Sequence, residues 1–247
     1  MKTGDIRRIT PLPLASVSLI EMTCSWTFHT VSDLRYTLLS DGSSDQALLP
    51  LINWSLRASG ITSAIRPEWA DLGMLRNPPG DLPERIRAAL DLYPCTLLFV
   101  HRDCESQTVA DRQKEIKNAL AEVCESAGVS LPSVCIVPRR MTEAWLLISE
   151  RAIRIASGNP TGRTHLPTPV IARLEEIPDP KEILFALLRE ASELHGRRLR
   201  SLRVHRLRHR VVEFIDDFSP LRALPAFRAF EAELREVLLE MRQNDII

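Results

Sequence analysis

The sequence has no excess of either charge. Its 32 basic residues balance 32 acidic ones, so bulk electrostatics points to neither a nucleic-acid nor a membrane partner, and only local asymmetry can. It contains no CxxC pair. Its five cysteines (Cys24, Cys95, Cys104, Cys124 and Cys135) form no metal-ligand cluster, and an odd number in a chain of 247 residues predicts free thiols in a reducing, cytoplasmic setting. No apolar run approaches the ~18 residues of a membrane span. The chain also lacks a GxGxxG turn and a phosphate-loop lysine, which counts against a nucleotide-binding Rossmann-type enzyme. No internal repeat and no low-complexity tract interrupts it.

What is present is apolar content, at 45% of residues, enough to fill a core. Residues 1–33 read as an N-terminal extension. Arg7 and Arg8 precede a weakly apolar stretch from Pro11 to Ile20, but two prolines and the missing small-x-small cleavage site argue against a signal peptide.

From Leu34 onward, strands alternate with helices. Leu34–Ser40, Ile61–Ile65, Cys95–Val100 and Ser133–Val137 read as strands, and the continuously apolar third has the character of a strand buried on both faces. Asp81 is a candidate cap for a helix through Leu90. A polar helix spans about Thr108 to Ala127, and another runs from Met141 to about Ser157. The pattern predicts an α/β fold with a mostly parallel, doubly wound sheet over residues 34–157. Residues 158–247 then read as a helical extension packed on the sheet, with helices near Lys181–Leu194, Leu207–Phe214 and Ala226–Met241.

In such sheets, functional residues gather past the carboxyl ends of the strands. Three acidic clusters fall there: Asp41 with Asp45, Asp103 with Glu105, and Glu143. Five carboxylates in one crevice repel one another unless a cation neutralises them, and hard oxygen ligands suit Mg²⁺ or Mn²⁺. Each also has an ordinary role open to it: Asp41 or Asp45 as a helix cap, Asp103 or Glu105 as a solvated loop residue, and Glu143 as a first-turn acid. His101 is a candidate proton shuttle, or a strand-end residue bonded to backbone.

These segments carry a family resemblance. Leu38-Leu-Ser-Asp-Gly-Ser-Ser-Asp45 resembles the acidic-Gly-x-x-Asp signature of Toprim domains. Phe99-Val-His-Arg-Asp-Cys-Glu105 resembles their later Asp-x-Asp motif, and Arg139-Arg-Met-Thr-Glu-Ala-Trp-Leu-Leu147 is similar to a segment of a Toprim-like bacterial family. The resemblance covers about residues 34–157. It implies a Mg²⁺-dependent nuclease or other phosphodiesterase acting on DNA or RNA, related to overcoming-lysogenisation-defect-type nucleases and to phage-defence proteins that work beside an ATPase.

By that likeness Asp41 stands where the family has an acid/base glutamate, and Asp103 and Glu105 match metal-binding carboxylates. The catalytic set is then Asp41, His101 and Asp103, and the metal set Asp41, Asp45, Asp103, Glu105 and Glu143. Two departures are visible: Asp41 is one methylene short of the family's glutamate, and in one alignment His101 replaces the first aspartate of Asp-x-Asp. They support a second reading, a non-catalytic subunit that binds nucleic acid or regulates an ATPase.

One strong local asymmetry remains. Seven arginines and two histidines lie between positions 197 and 210 with no acid among them. Arg197, Arg198, Arg200, Arg203 and Arg206, with Arg139 and Arg140 nearer the crevice, are the candidate contacts to a phosphate backbone. The interleaved Leu199, Leu202, Val204 and Leu207 leave open that this stretch packs instead. Trp145 and the apolar side of the last helix read as core, and oligomeric state is left open.

Overall fold

The computed structural model describes residues 33–247. The predicted N-terminal extension, Cys24 included, falls outside them save for its last residue.

Four strands form one sheet: β1 (Leu34–Leu39), β2 (Ile65–Trp69), β3 (Leu97–His101) and β4 (Ser133–Ile136). The order is β2-β1-β3-β4 and every pairing is parallel. Parallel neighbours require crossovers, and helices supply them: α1 (Leu49–Ala58) between β1 and β2, α2 (Leu82–Leu92) between β2 and β3, and α3 (Val109–Ala127) between β3 and β4. The fold is the Rossmann-like α/β class that the alternating pattern predicts. Because the chain steps from β1 outward to β2 and then returns past β1 to β3, the order reverses between β1 and β3. That gap is where an open α/β sheet has its crevice.

Alternation along the strands sorts the core into two layers. Leu34, Tyr36 and Leu38 of β1, Leu97 and Phe99 of β3, and Val134 and Ile136 of β4 face one side. There they meet α1 and the helices that follow β4: α4 (Glu143–Leu146), α5 (Glu150–Ala156), α6 (Pro180–Ala191), α8 (Val204–Glu213) and α9 (Pro225–Gln243), with α7 (Gly196–Arg200) preceding α8. Trp145 is fully buried in this layer, edge-on to Phe227, as its apolar flanks predict. Leu39, Leu98, Val100, Cys135 and Val137 face the other side, against α2 and α3.

Local signals account for several helix boundaries. Asp81 accepts from the Glu84 N–H and caps α2, Thr108 accepts from Asp111 N–H at the start of α3, and Gly128 ends α3 with φ 65°.

Two predicted elements are corrected. The second strand is not Ile61–Ile65 but Ile65–Trp69. Ile61 is buried and its N–H returns to the Leu56 carbonyl, while Arg57 ties down the carbonyls of Ile61 and Ser63, so this stretch is the connection into the strand. The helix predicted from Met141 to Ser157 is two short ones, because Ser149 takes an extended conformation and caps a fresh start by accepting from the Ala152 N–H. Among the described residues, no helix is long and apolar enough to cross a membrane.

Candidate functional site

The carboxyl edge of the sheet is built from the ends of β1, β3 and β4. The alternation that sorts the core also sorts the polar residues just beyond it. His101 ends β3 on the α8/α9 side, while the next residue, Arg102, points to the α2/α3 side and reaches Glu115 of α3 at 2.5 Å. The edge therefore carries two separate polar constellations.

The inner one begins with His101, which is 1% exposed. Its Nδ1 lies 3.0 Å from the Ile136 carbonyl, which can only accept, so Nδ1 carries a proton. Nε2 then faces three oxygens: Thr142 Oγ1 at 3.2 Å, Asp103 Oδ1 at 3.5 Å and Asp45 Oδ2 at 3.8 Å. Thr142 is buried and binds Asp103 twice, its backbone N–H at 3.1 Å and its hydroxyl at 3.3 Å from Oδ1. A neutral imidazole accepts a hydrogen bond at Nε2 from the Thr142 hydroxyl. A protonated one donates a hydrogen bond to Thr142 Oγ1 and frees that hydroxyl to donate to Asp103, so proton position and hydrogen-bond direction change together.

Asp45 is buried in the 3₁₀ turn over Ser43–Leu48, where it accepts from the Gly42 N–H at 3.1 Å and the Ser44 hydroxyl. Glu143, 4% exposed at the start of α4, is bonded by Arg208 of α8. Burial pushes Asp103 up to about 6. The His101 ring works against that rise, and the charges of Asp45 and Glu143 add to it. His209, next along α8, is held below its usual value by burial and by Arg208, although Asp45 and Glu143 pull the other way.

The outer constellation is a chain of ion pairs. Arg85 of α2 reaches Asp41 at 2.5 Å, Arg102 reaches the other oxygen of Asp41 at 3.1 Å, and Arg102 and Arg112 share Glu115. Burial disfavours the charged form of Asp41, but Arg85 and Arg102 outweigh it and hold the carboxyl below its usual range. The flank of Asp41 and Arg85 opens on a cavity of about 390 Å³ walled by Trp69 and Pro78–Gly80.

The predicted residues thus divide. Asp45, His101, Asp103 and Glu143 come together. Asp41 does not join them, because two arginines hold it on the outer side. Glu105 does not either: it sits at φ 52°, its side chain is 76% exposed, and its nearest cation is Arg112 at 3.9 Å. The expectation that five carboxylates meet around one ion is therefore corrected. Among the described residues, no three of His, Cys, Asp or Glu stand together as ligands of a metal ion. The residues in this arrangement do not fit the Mg²⁺ or Mn²⁺ that the resemblance implies: Glu143 is paired with Arg208, Asp45 is bonded by the Gly42 N–H and the Ser44 hydroxyl, and Asp103 by Thr142.

Arg139 and Arg140 are exposed after β4, and Glu143 pairs with neither. Arg197, Arg198 and Arg200 on α7, Arg203 just before α8 and Arg206 on α8 are exposed, with no carboxylate in ion-pair reach among the described residues. Val204, Val211 and Val212 are the buried side of α8, so the alternative raised by the interleaved apolar residues is also realised: one side packs while the other is basic.

Three residues of the inner site were not singled out from the sequence: Thr142, Arg208 and His209. A signal for Arg208 was there. It lies four residues after Val204 and four before Val212, on the apolar side of its own helix.

Set against known protein-family models, curated proteins and solved structures, the chain matches none of them, and its likeness to Toprim domains rests on the three motif segments alone.

Proposed function

We propose that this chain cleaves phosphodiester bonds of a nucleic acid at the inner constellation, with α7 and the outer side of α8 receiving the backbone. The observation that carries the reading is the convergence of Asp45, His101, Asp103 and Glu143, from the ends of three different strands, at the reversal point of the sheet. Such a buried concentration of acid costs stability, which folds tolerate at working sites.

Asp103 and His101 supply the acid–base part. Burial raises Asp103 to about 6, which suits it to hold and release a proton near neutrality, and the imidazole 3.5 Å away is in reach of that carboxylate. Thr142 fixes the geometry of both. The exposed arginines offer charge without sequence reading, which suits a backbone contact.

Purified protein incubated with plasmid DNA and with RNA, in Mg²⁺, Mn²⁺ or EDTA, tests this. Cleavage should fall by about 10²–10⁴-fold in Asp103→Asn, the span expected for an acid–base residue. Equal cleavage by wild type and variant would assign the activity to a contaminant.

A second reading has its own support. The dispersal of Asp41 and Glu105 away from the cluster favours a non-catalytic subunit that binds nucleic acid or regulates an ATPase. Retention of DNA or RNA without cleavage in any metal selects it.

A further inference from the structure

The cavity beside Asp41 and Arg85 is the part of the carboxyl edge that the acid–base chemistry leaves unused. Its volume of about 390 Å³ lies in the ordinary span of small-ligand sites, about 300–1,000 Å³. It stands at the ends of β1 and β2, and the connection from β2 to α2 supplies most of its wall. Trp69 puts an aromatic side chain there, and its Nε1 donates to Ser40 Oγ at 3.1 Å. Asp71 is half-buried and sits at the N-cap position of the 3₁₀ turn Leu72–Met74, yet it caps nothing. Its carboxylate has no hydrogen bond and no ion pair among the described residues. Arg85 gives one amino group to Asp41 and the other to the Ser40 carbonyl, which leaves N–H groups of its guanidinium free.

The wall thus holds an acid without a partner and a guanidinium with donors left over. An organic cation would answer Asp71 but meet Arg85, and an anion would answer Arg85 but meet Asp71 and Asp41. A neutral flat ring that donates at one edge and accepts at another suits both, and aromatic and proline walls suit its faces. Among nucleobases, guanine has two adjacent donors for a carboxylate, N1–H and the 2-amino group, and two acceptors for a guanidinium, O6 and N7. One turn joins the cavity to the inner constellation: Ser40–Ser43 line the cavity, and the Gly42 N–H donates to Asp45 at 3.1 Å. We infer that this cavity is a nucleobase subsite in which Asp71 selects guanine. A base held there must be unpaired, so the nucleic acid is single-stranded or has the guanine turned out of its stack. This deepens the cleavage reading and rests on it for its purpose, but not for its test.

Titration calorimetry with GMP, IMP, AMP and CMP, in EDTA, tests this without any turnover. Wild type should bind GMP about 5–100-fold more tightly than IMP, which lacks the 2-amino donor, or AMP, which lacks both donors, the span expected when a two-point contact is lost. Asp71→Ala should bind all four nucleotides alike, no more tightly than wild type binds IMP. Asp71 holds nothing else in the protein, so the substitution should leave the fold in place, and the comparison of GMP with IMP needs no variant at all.

Equal affinity for GMP and AMP overturns the inference. So does a preference for GMP that survives Asp71→Ala, since the base would then sit elsewhere, and so does binding of spermidine where no nucleotide binds. Guanine-selective binding that Asp71→Ala removes, without cleavage by any form, would leave the subsite standing and remove the cleavage reading. Asp103-dependent cleavage by a protein that binds none of the four nucleotides would do the reverse.

Discussion

The two sides of the carboxyl edge start from the same strand ends and solve opposite problems. On the outer side, Asp41 and Glu115 meet Arg85, Arg102 and Arg112, so acid and base alternate, each acid meets two arginines, and the Asp41 carboxyl is drawn below its usual range. On the inner side, Arg208 pairs with Glu143 alone, and burial, helped by the charges of Asp45 and Glu143, drives Asp103 up to about 6. The direction of the shift reports the difference: cations beside Asp41 outweigh its burial and make it release its proton easily, while burial and neighbouring acids make Asp103 keep its own. The outer arrangement resembles surface charge pairing, and the inner one is charge held at a cost. By that criterion the inner side is where the proposed chemistry is placed.

The comparison breaks most easily at Arg208. Removing one partner of a buried ion pair leaves the other uncompensated, a loss of roughly 3–5 kcal/mol. Arg208→Ala should lose stability on that scale in urea unfolding with EDTA present, because Glu143 would then be buried beside two further acids. A loss below about 1 kcal/mol would put the pair in the class of surface ion pairs and dissolve the contrast.

A smaller effect follows from Asp103, with a sign that depends on pH. A carboxyl raised on folding holds its proton more tightly in the folded chain, so its contribution is fully present below the ordinary value of 3.8 and is lost as pH climbs through about 6. Asp103→Asn keeps an acceptor for the Thr142 N–H and removes the ionisation. It should be more stable than wild type at pH 8 by up to about 2 kcal/mol and nearly indistinguishable below pH ~4, as linkage requires. Thermal unfolding across that range reads both ends, and a variant less stable at pH 8 than at pH 4, relative to wild type, contradicts the account.

Much of this was legible in the amino-acid order, and the remainder was not for identifiable reasons. The first, third and fourth strands and the parallel sense of the sheet follow from apolar runs separated by helical lengths, whereas the second strand, Ile65-Arg-Pro-Glu-Trp69, is not an apolar run and was read four residues early. The placement of Asp45, His101, Asp103 and Glu143 at one edge follows from each lying just past a strand. The division of that edge depended on alternation continuing beyond the strand ends, which puts Arg102 and His101 on opposite sides, and no motif records it. Glu105 leaves the site because it adopts a left-handed backbone conformation, φ 52°, which a non-glycine residue seldom takes and a motif does not reveal. Arg208 was hidden inside a basic run whose average character is solvated, although its position on the Val204–Val212 stripe marked it as inward.

The smallest effect belongs to the outer side. Asp41 is 42% exposed, so its two ion pairs operate in nearly aqueous dielectric. Asp41→Asn removes the charge, keeps one oxygen acceptor and leaves Arg85 bonded to the Ser40 carbonyl, so both arginines retain partners or water. The expected loss is below about 1 kcal/mol, and screening should shrink it further near 1 M salt. Urea unfolding of this variant at low and high salt, beside Arg208→Ala in the same buffers, puts the two sides on one scale. A buried pair resists salt and an exposed one yields to it, so a salt-independent Asp41 effect as large as that of Arg208 would mean that the two sides carry charge in the same way and that the inner one has no special claim to function.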